Sequence, residues 1–296
     1  MLTEVTQFVH WVRRRSPTAR TWRDYQYDLN LFVSTVGDIP IETVTYRHID
    51  QFVQVQTDKG FQASTINRRL AAVTSLYNYL IIEHPTLTCP VVPYRHVLKS
   101  RERQPRPLAP EVVEAFFNTI KDTRDKTMFL LMLCCGLRIA EVADIRLVDL
   151  VFDPNGSRLL VRGKGLKERT AYLAPQVEAA IQRYLLERPL ATSDHLFLSY
   201  KLSGLSTTAI HKRLMRYRDA AEVTLTAHQL RHTFANQLVE AGVPVLTIQK
   251  LLGHKWLMTT QGYVAANDKQ VQEAFYTAIN RLGVCLLYTS PSPRDA

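Results

Sequence analysis

The chain has 296 residues, 46% hydrophobic, 22% charged and 9% aromatic, a composition that excludes disorder, collagen-like repeats and a disulfide-dense scaffold. Lysine plus arginine number 37 against 27 aspartate plus glutamate, a formal net charge of +10, and each half carries part of the excess. That balance points to a polyanion contacted by the whole molecule, nucleic acid first.

In chain order, residues 1–84 read as helices. QFVHWV has apolar residues at helical spacing, Ser16-Pro17 supplies an N-cap followed by proline at the first helical position, and TWRDYQYDLNLFVSTV continues it. A third helix fits TYRHIDQFVQVQTDKG, closed by Gly60, and a fourth starts at Ser64, with Ile66, Leu70, Val73, Leu76, Tyr77 and Leu80 at 3-4 spacing. The proline-rich, positively charged stretch that follows is a linker, placed at 98–109. Beyond it EVVEAFFNTI and 124–135 are helical, with Gly136 as a C-cap. RLLVRG and RTAYLA alternate like two strands about the turn GKGLKE. Helices return at PQVEAAIQRYLLE, STTAIHKRLMRYRDAA, TAHQLRHTFANQLVEAG and PVLTIQKLLG.

Cys89, Cys134, Cys135 and Cys285 form no CxxC pair, and MFLLMLCC at 128–135 is too short to span a bilayer. With no charged-then-apolar leader, the expected compartment is the cytoplasm. Neither a P-loop nor a GxGxxG is present, which argues against nucleotide-driven chemistry. Cys285–Ala296 has no apolar period, and its codons can be those of a sequencing-library adapter, so residues 285–296 are read as a non-native tail.

Singly, the polar residues of the second half have structural explanations. Arg138 suits a surface ion pair, Lys164 a solvated turn, and His254 a helix end; His228 and Arg231 share a helix face, and Tyr263 is one of 13 tyrosines. As a set they read differently. GLRIAEV, GKGLKER, HQLRH and LGHKWLMTTQGY occur in this order, with Tyr263 nine residues after His254. The chain resembles the tyrosine site-specific recombinases, the family of lambda integrase and the Xer recombinases.

The resemblance implies a mainly α fold with a small β-hairpin. A helical, SAM-like core-binding domain would span 1–97, the linker 98–109, and an α+β catalytic domain 110–284. It implies Arg138 and Arg231 as the arginines clamping the scissile phosphate, Lys164 as general acid, His228 and His254 as the two histidines, and Tyr263 as nucleophile, with Glu141 supporting the site from behind. Gly262 and Met258 depart from the family's usual residues. The chemistry fits: two guanidiniums are planar, permanently charged forks suited to phosphate, and tyrosine attacks well only when a cationic site and a base help its proton leave. The product would be a 3′-phosphotyrosyl link and a free 5′ hydroxyl, resealed with no cofactor and no metal.

Expected partners are double-stranded DNA sites and three further copies of the chain, as a homotetramer on DNA, with a second recombinase or directionality factor left open. Residues 267–284, with Phe275, Ile279 and Leu282 as an apolar stripe, are either a segment donated to a neighbour or a final helix packed on its own chain. Lys212, Arg213 and Arg216 share a helix face suited to DNA, and Arg68 and Arg69 are placed on the duplex from the first domain. Three other activities compete: type IB topoisomerase relaxation, a metal-dependent nuclease using His228, His232 and His254, and a non-catalytic DNA-binding factor.

Overall fold

Apolar residues spaced three and four apart become four packed helices at the start of the chain. In a computed structural model, which describes residues 1–17, 21–99, 107–163, 168–253 and 268–282, these are α1 (Leu2–Arg15), α2 (Thr21–Val36), α3 (Tyr46–Asp58) and α4 (Ala63–Leu80). They belong to the first of two units, Met1–Arg103 and Gln104–Ala296. The α4 stripe is buried as its spacing predicts: Ile66, Leu70, Val73, Leu76, Tyr77 and Leu80 are at most 2% exposed, each full burial stabilising by roughly 1.5–3 kcal/mol. Phe8, Phe32 and Phe52 fill the same core, and the Tyr77 hydroxyl donates to the Ile41 carbonyl at 2.9 Å. The helix begins one residue before Ser64, with Gln62 as its N-cap.

Past α4 the chain is not simply extended. A one-turn helix, α5 (Pro93–His96), forms because Arg95 forks onto Asp50 of α3 and His96 Nδ1 accepts the Val92 N–H at 2.8 Å.

The second unit starts with α6 (Pro110–Asn118), α7 (Thr123–Cys134) and α8 (Ile139–Ala143). From Thr127 to Cys134 every residue of α7 is at most 1% exposed. A helix wrapped on all sides needs no polar face, which is why this segment reads as an unbroken apolar run. A three-stranded antiparallel sheet follows, in the order β1 (Leu150–Val151), β2 (Arg158–Arg162), β3 (Glu168–Tyr172). Strands β2 and β3 pair with Leu160 opposite Thr170 and Arg162 opposite Glu168, the hairpin expected around GKGLKE. Strand β1 has two residues, too few for an alternation to be visible in sequence. Helices α9 (Pro175–Glu187), α10 (Thr207–Ala220), α11 (Ala227–Glu240) and α12 (Val245–Leu252) complete the layer, and Ser206 and Thr226 cap α10 and α11 through their hydroxyls.

The last helix, α13 (Asp268–Leu282), packs on its own chain, with Val271, Phe275 and Ala278 at most 3% exposed. The Tyr276 hydroxyl lies 3.2 Å from both the Ser157 and Leu173 carbonyls, and Gln272 donates to the Asn155 carbonyl at 3.1 Å. Gly156 (φ +131°) admits this contact; a Cβ there would meet the Tyr276 ring at 2.8 Å. Of the two readings for 267–284, this structure contains the intramolecular one, with Phe275 buried and Ile279 partly buried; the Leu282 side chain, like residues 285–296, lies outside the described part. No helix among the described residues is long and apolar enough to cross a membrane.

Candidate active site

The site is built where the end of α7 meets α11 and α12. Gly136 takes φ +62°, and a Cβ there would stand 2.5 Å from Phe234 Cδ1 of α11 and 2.8 Å from Leu252 Cδ2 of α12. Only glycine allows that approach, and it brings GLRIAEV beside HQLRH and the end of LTIQKLLG. The Gly136 carbonyl accepts a hydrogen bond from Arg231 Nη1, and Arg231 Nη2 donates to the Leu252 carbonyl at 2.6 Å.

Glu141 is the centre of the arrangement. Its carboxylate accepts from the Arg138 N–H at 2.8 Å, from Arg138 Nη1 at 2.8 Å and from Arg169 Nη2 at 2.9 Å, and Arg231 Nη1 lies 3.7 Å away. Among the described residues, three guanidiniums thus surround one carboxylate, an excess of two positive charges in a largely dry place. Such an excess is unfavourable for folding by itself, and it suits a site that receives an anion. The Arg138 side chain is 45% exposed while those of Arg231 and Arg169 are 4% and 11%, so Arg138 forms the open rim.

The protonation states follow from this packing. Burial raises the Glu141 carboxyl, but Arg169 and the N–H and guanidinium of Arg138 outweigh it and hold Glu141 below its ordinary range. Burial, with Arg138 adding like-charge repulsion, brings Arg231 down to about 10, still protonated at neutral pH. Burial and the guanidiniums of Arg231 and Arg138 lower His228, which keeps a neutral imidazole present. His228 Nε2 lies 2.8 Å from His232 Nε2, a contact that requires one N–H and one lone pair, so the two rings cannot both be protonated there.

Arg138, Glu141, His228 and Arg231 are therefore carried by neighbouring elements. Lys164 falls in 164–167, and His254 and Tyr263 fall in 254–267, outside the described residues. Their flanks are described: β2 and β3 lie on either side of residues 164–167 in sequence, and Gly253 (φ +65°) caps α12 directly before His254. Among the described residues, no group of three or more His, Cys, Asp and Glu side chains converges as a metal site would need.

The residues placed on DNA divide. Arg69 does not lie at the surface: its side chain is 4% exposed, hydrogen-bonded to Gln56, 3.8 Å from Asp28 and stacked over Phe61. Arg68 is half exposed and forks onto Asp28 at 2.5 and 3.0 Å. Lys212 is exposed. Arg213 and Arg216 turn toward Asp125, 3.2 and 3.6 Å away, a buried carboxylate that also accepts from the Tyr217 hydroxyl at 2.9 Å. A helical wheel cannot show this, because Asp125 sits on another helix. Sequence reasoning gives Arg169 no role; it stands inside GKGLKER, where its one signal is an arginine in an alternating strand.

Comparison with known proteins supplies the family. The model of the phage integrase family matches residues 106–270, and that of the phage integrase N-terminal SAM-like domain matches residues 5–84. The chain belongs to the phage integrase family. Among curated members, tyrosine recombinase XerC of Staphylococcus haemolyticus (strain JCSC1435) is 29% identical over 279 residues, covering 89% of this chain and 92% of its own. Two solved structures share the fold. A lambda integrase tetramer bound to a Holliday junction superposes with a TM-score of 0.70 at 18% identity, over 90% of this chain and 80% of that one. XerH recombinase bound to a palindromic difH substrate, in a post-cleavage complex, gives 0.67 at 20% identity over 89% and 78%. Among the described residues, helices dominate and the sheet is small and antiparallel.

Proposed function

We infer that the chain is a tyrosine-type site-specific DNA recombinase, which cuts and rejoins duplex DNA through a 3′-phosphotyrosyl intermediate. The observation that carries this is the Glu141 cluster, in which the arginines of GLR and HQLRH, Arg138 and Arg231, share one buried carboxylate in a chain of the phage integrase family. In this reading the two guanidiniums hold the non-bridging oxygens of the scissile phosphate. The Tyr263 phenolic oxygen attacks phosphorus; as the new P–O bond forms, the bond to the 5′ oxygen breaks, and Lys164 gives that oxygen its proton. His228, kept neutral by burial and its cationic neighbours, can accept the phenolic proton, and His254 completes the hydrogen bonding to phosphate. Two arginines already supply the charge that stabilises the transition state. The phosphotyrosyl bond conserves the energy of the phosphodiester, so the reverse attack by a 5′ hydroxyl needs no nucleotide.

The partners in this reading are two duplex sites and four copies of the chain, supported by the likeness to the lambda integrase tetramer on a Holliday junction. Lys212 and the exposed side of Arg216 reach phosphates outside the site. Replacing Tyr263 by Phe tests the reading: covalent protein–DNA adducts should vanish while DNA binding stays nearly intact. Adducts that persist in the variant refute the nucleophile, and strand exchange between two marked sites, rather than relaxation of any plasmid, separates recombination from topoisomerase action.

A further inference from the structure

Arg169 has no part in the reaction as derived so far, yet, like Arg231, it joins its own motif to two others. It stands on β3, five residues after Lys164 in sequence. Its Nη2 donates to Glu141 Oε2 at 2.9 Å, the same oxygen that takes the Arg138 N–H. Its Nη1 donates to the Leu251 carbonyl at 2.7 Å, beside the Leu252 carbonyl that Arg231 takes at 2.6 Å. Two arginines bound to one carboxylate therefore hold the last two carbonyls of α12, groups that a helix end leaves without partners and that favour cations. The chain then turns at Gly253, whose absent Cβ would meet Arg169 Cδ at 2.7 Å, and the next residue is His254. With 11% of its side chain exposed, against 45% for Arg138, Arg169 sits behind the rim rather than on it.

We propose that Arg169 is a positioning residue of the cleavage site. It ties the carboxylate that orients Arg138 to the end of α12, and so sets the departure point of the segment bearing His254 and Tyr263. It does not touch the phosphate. A guanidinium is required because two donors on one rigid plane must reach a carboxylate and a carbonyl on different elements; a lysine ammonium in the same place is a single point and loses one of the two. Misplacing a reacting group by about 1 Å costs roughly 10²-fold in rate, which is the loss expected when the tie is cut.

The inference rests on the phosphotyrosyl reading, and the experiment separates the two. The substrate is a nicked duplex carrying the sequence to which the wild-type chain becomes covalently attached when trapped on fragmented genomic DNA; no attachment by wild type defeats the reading itself. Arg169→Lys is then measured for DNA binding by gel shift, for adduct formation, and for adduct formation on the same duplex with a 5′-bridging phosphorothiolate, whose sulfur leaves without a proton. The expected result is unchanged binding, with adduct formation slower by roughly 10²-fold on both substrates. A wild-type rate overturns the proposal. So does a deficit that disappears with the phosphorothiolate, because Arg169 would then serve Lys164. Arg169→Gln, assayed well below its own melting midpoint, separates positioning from folding: a deficit that persists there supports the proposal. Recovery of the wild-type rate at that temperature, or failure of both variants to fold, overturns it.

Discussion

Asp28 in the first unit and Glu141 in the second are both buried carboxylates flanked by arginines, and their titration moves in opposite directions. Burial dominates at Asp28 and raises its pKa despite Arg68 and Arg69. At Glu141 the cost of burial is outweighed by Arg169 and by the N–H and guanidinium of Arg138, and its pKa falls. The difference lies in the donors: Arg68 is half exposed and Arg69 lies 3.8 Å off, whereas Glu141 takes three hydrogen bonds within 2.9 Å, one from the backbone. A buried acid thus reports how completely its surroundings were built for the charged form. Only the completely built one joins strings that the family resemblance singled out.

The largest effect that can break this contrast is on rate. Arg231→Ala should slow adduct formation by roughly 10²–10³-fold, the scale for one lost charge stabiliser, whereas Arg68→Ala should leave the chemical step unchanged. A loss below tenfold for Arg231→Ala, or an equal loss for Arg68→Ala, would erase the distinction. Next in size is stability. Glu141→Gln leaves three guanidiniums without a counter-charge and should cost roughly 3–5 kcal/mol in chemical denaturation; Asp28→Asn should cost less at neutral pH.

A finer separation comes from acid titration of stability. Glu141 is held below its ordinary 4.5 in the folded chain, so its contribution is complete above that value and is lost as pH falls through the depressed one. Asp28 is raised above its ordinary 3.8, so its contribution has the other sign: ionisation costs stability as pH rises from that value to the raised one. The acid limb of the unfolding curve should therefore flatten in Glu141→Gln, and Asp28→Asn should remove the opposing trend. Matching changes in both variants would show that the two environments do not differ. The smallest effect concerns DNA affinity: Lys212→Ala should weaken binding about equally across sequences and lower the salt slope by about 1, while Arg69→Ala should leave the slope alone because its guanidinium is buried.

Much of this architecture is legible in the sequence. The α4 stripe, the β2–β3 hairpin and the caps at Ser206 and Thr226 are local, and each needs only neighbours three or four residues away or directly opposite. The misreadings have one origin. Arg69 reads as a surface residue and Arg213 as an unpaired one because their own helices are all that a periodicity reports, while Asp28 and Asp125, which they approach, lie on other helices. Helix α5 escaped notice for the same reason, since Asp50 on α3 holds it.

By itself, the order of residues determined which faces are apolar, where helices and the hairpin fall, and that four short strings recur in the arrangement of a known family. Tertiary structure decided which arginines are interior, that α13 packs on its own chain, and that Arg138, Arg169 and Arg231 converge on one carboxylate. The division has a physical cause: periodicity is a property of a single element, whereas desolvation and ion pairing arise only when distant elements exclude water between them.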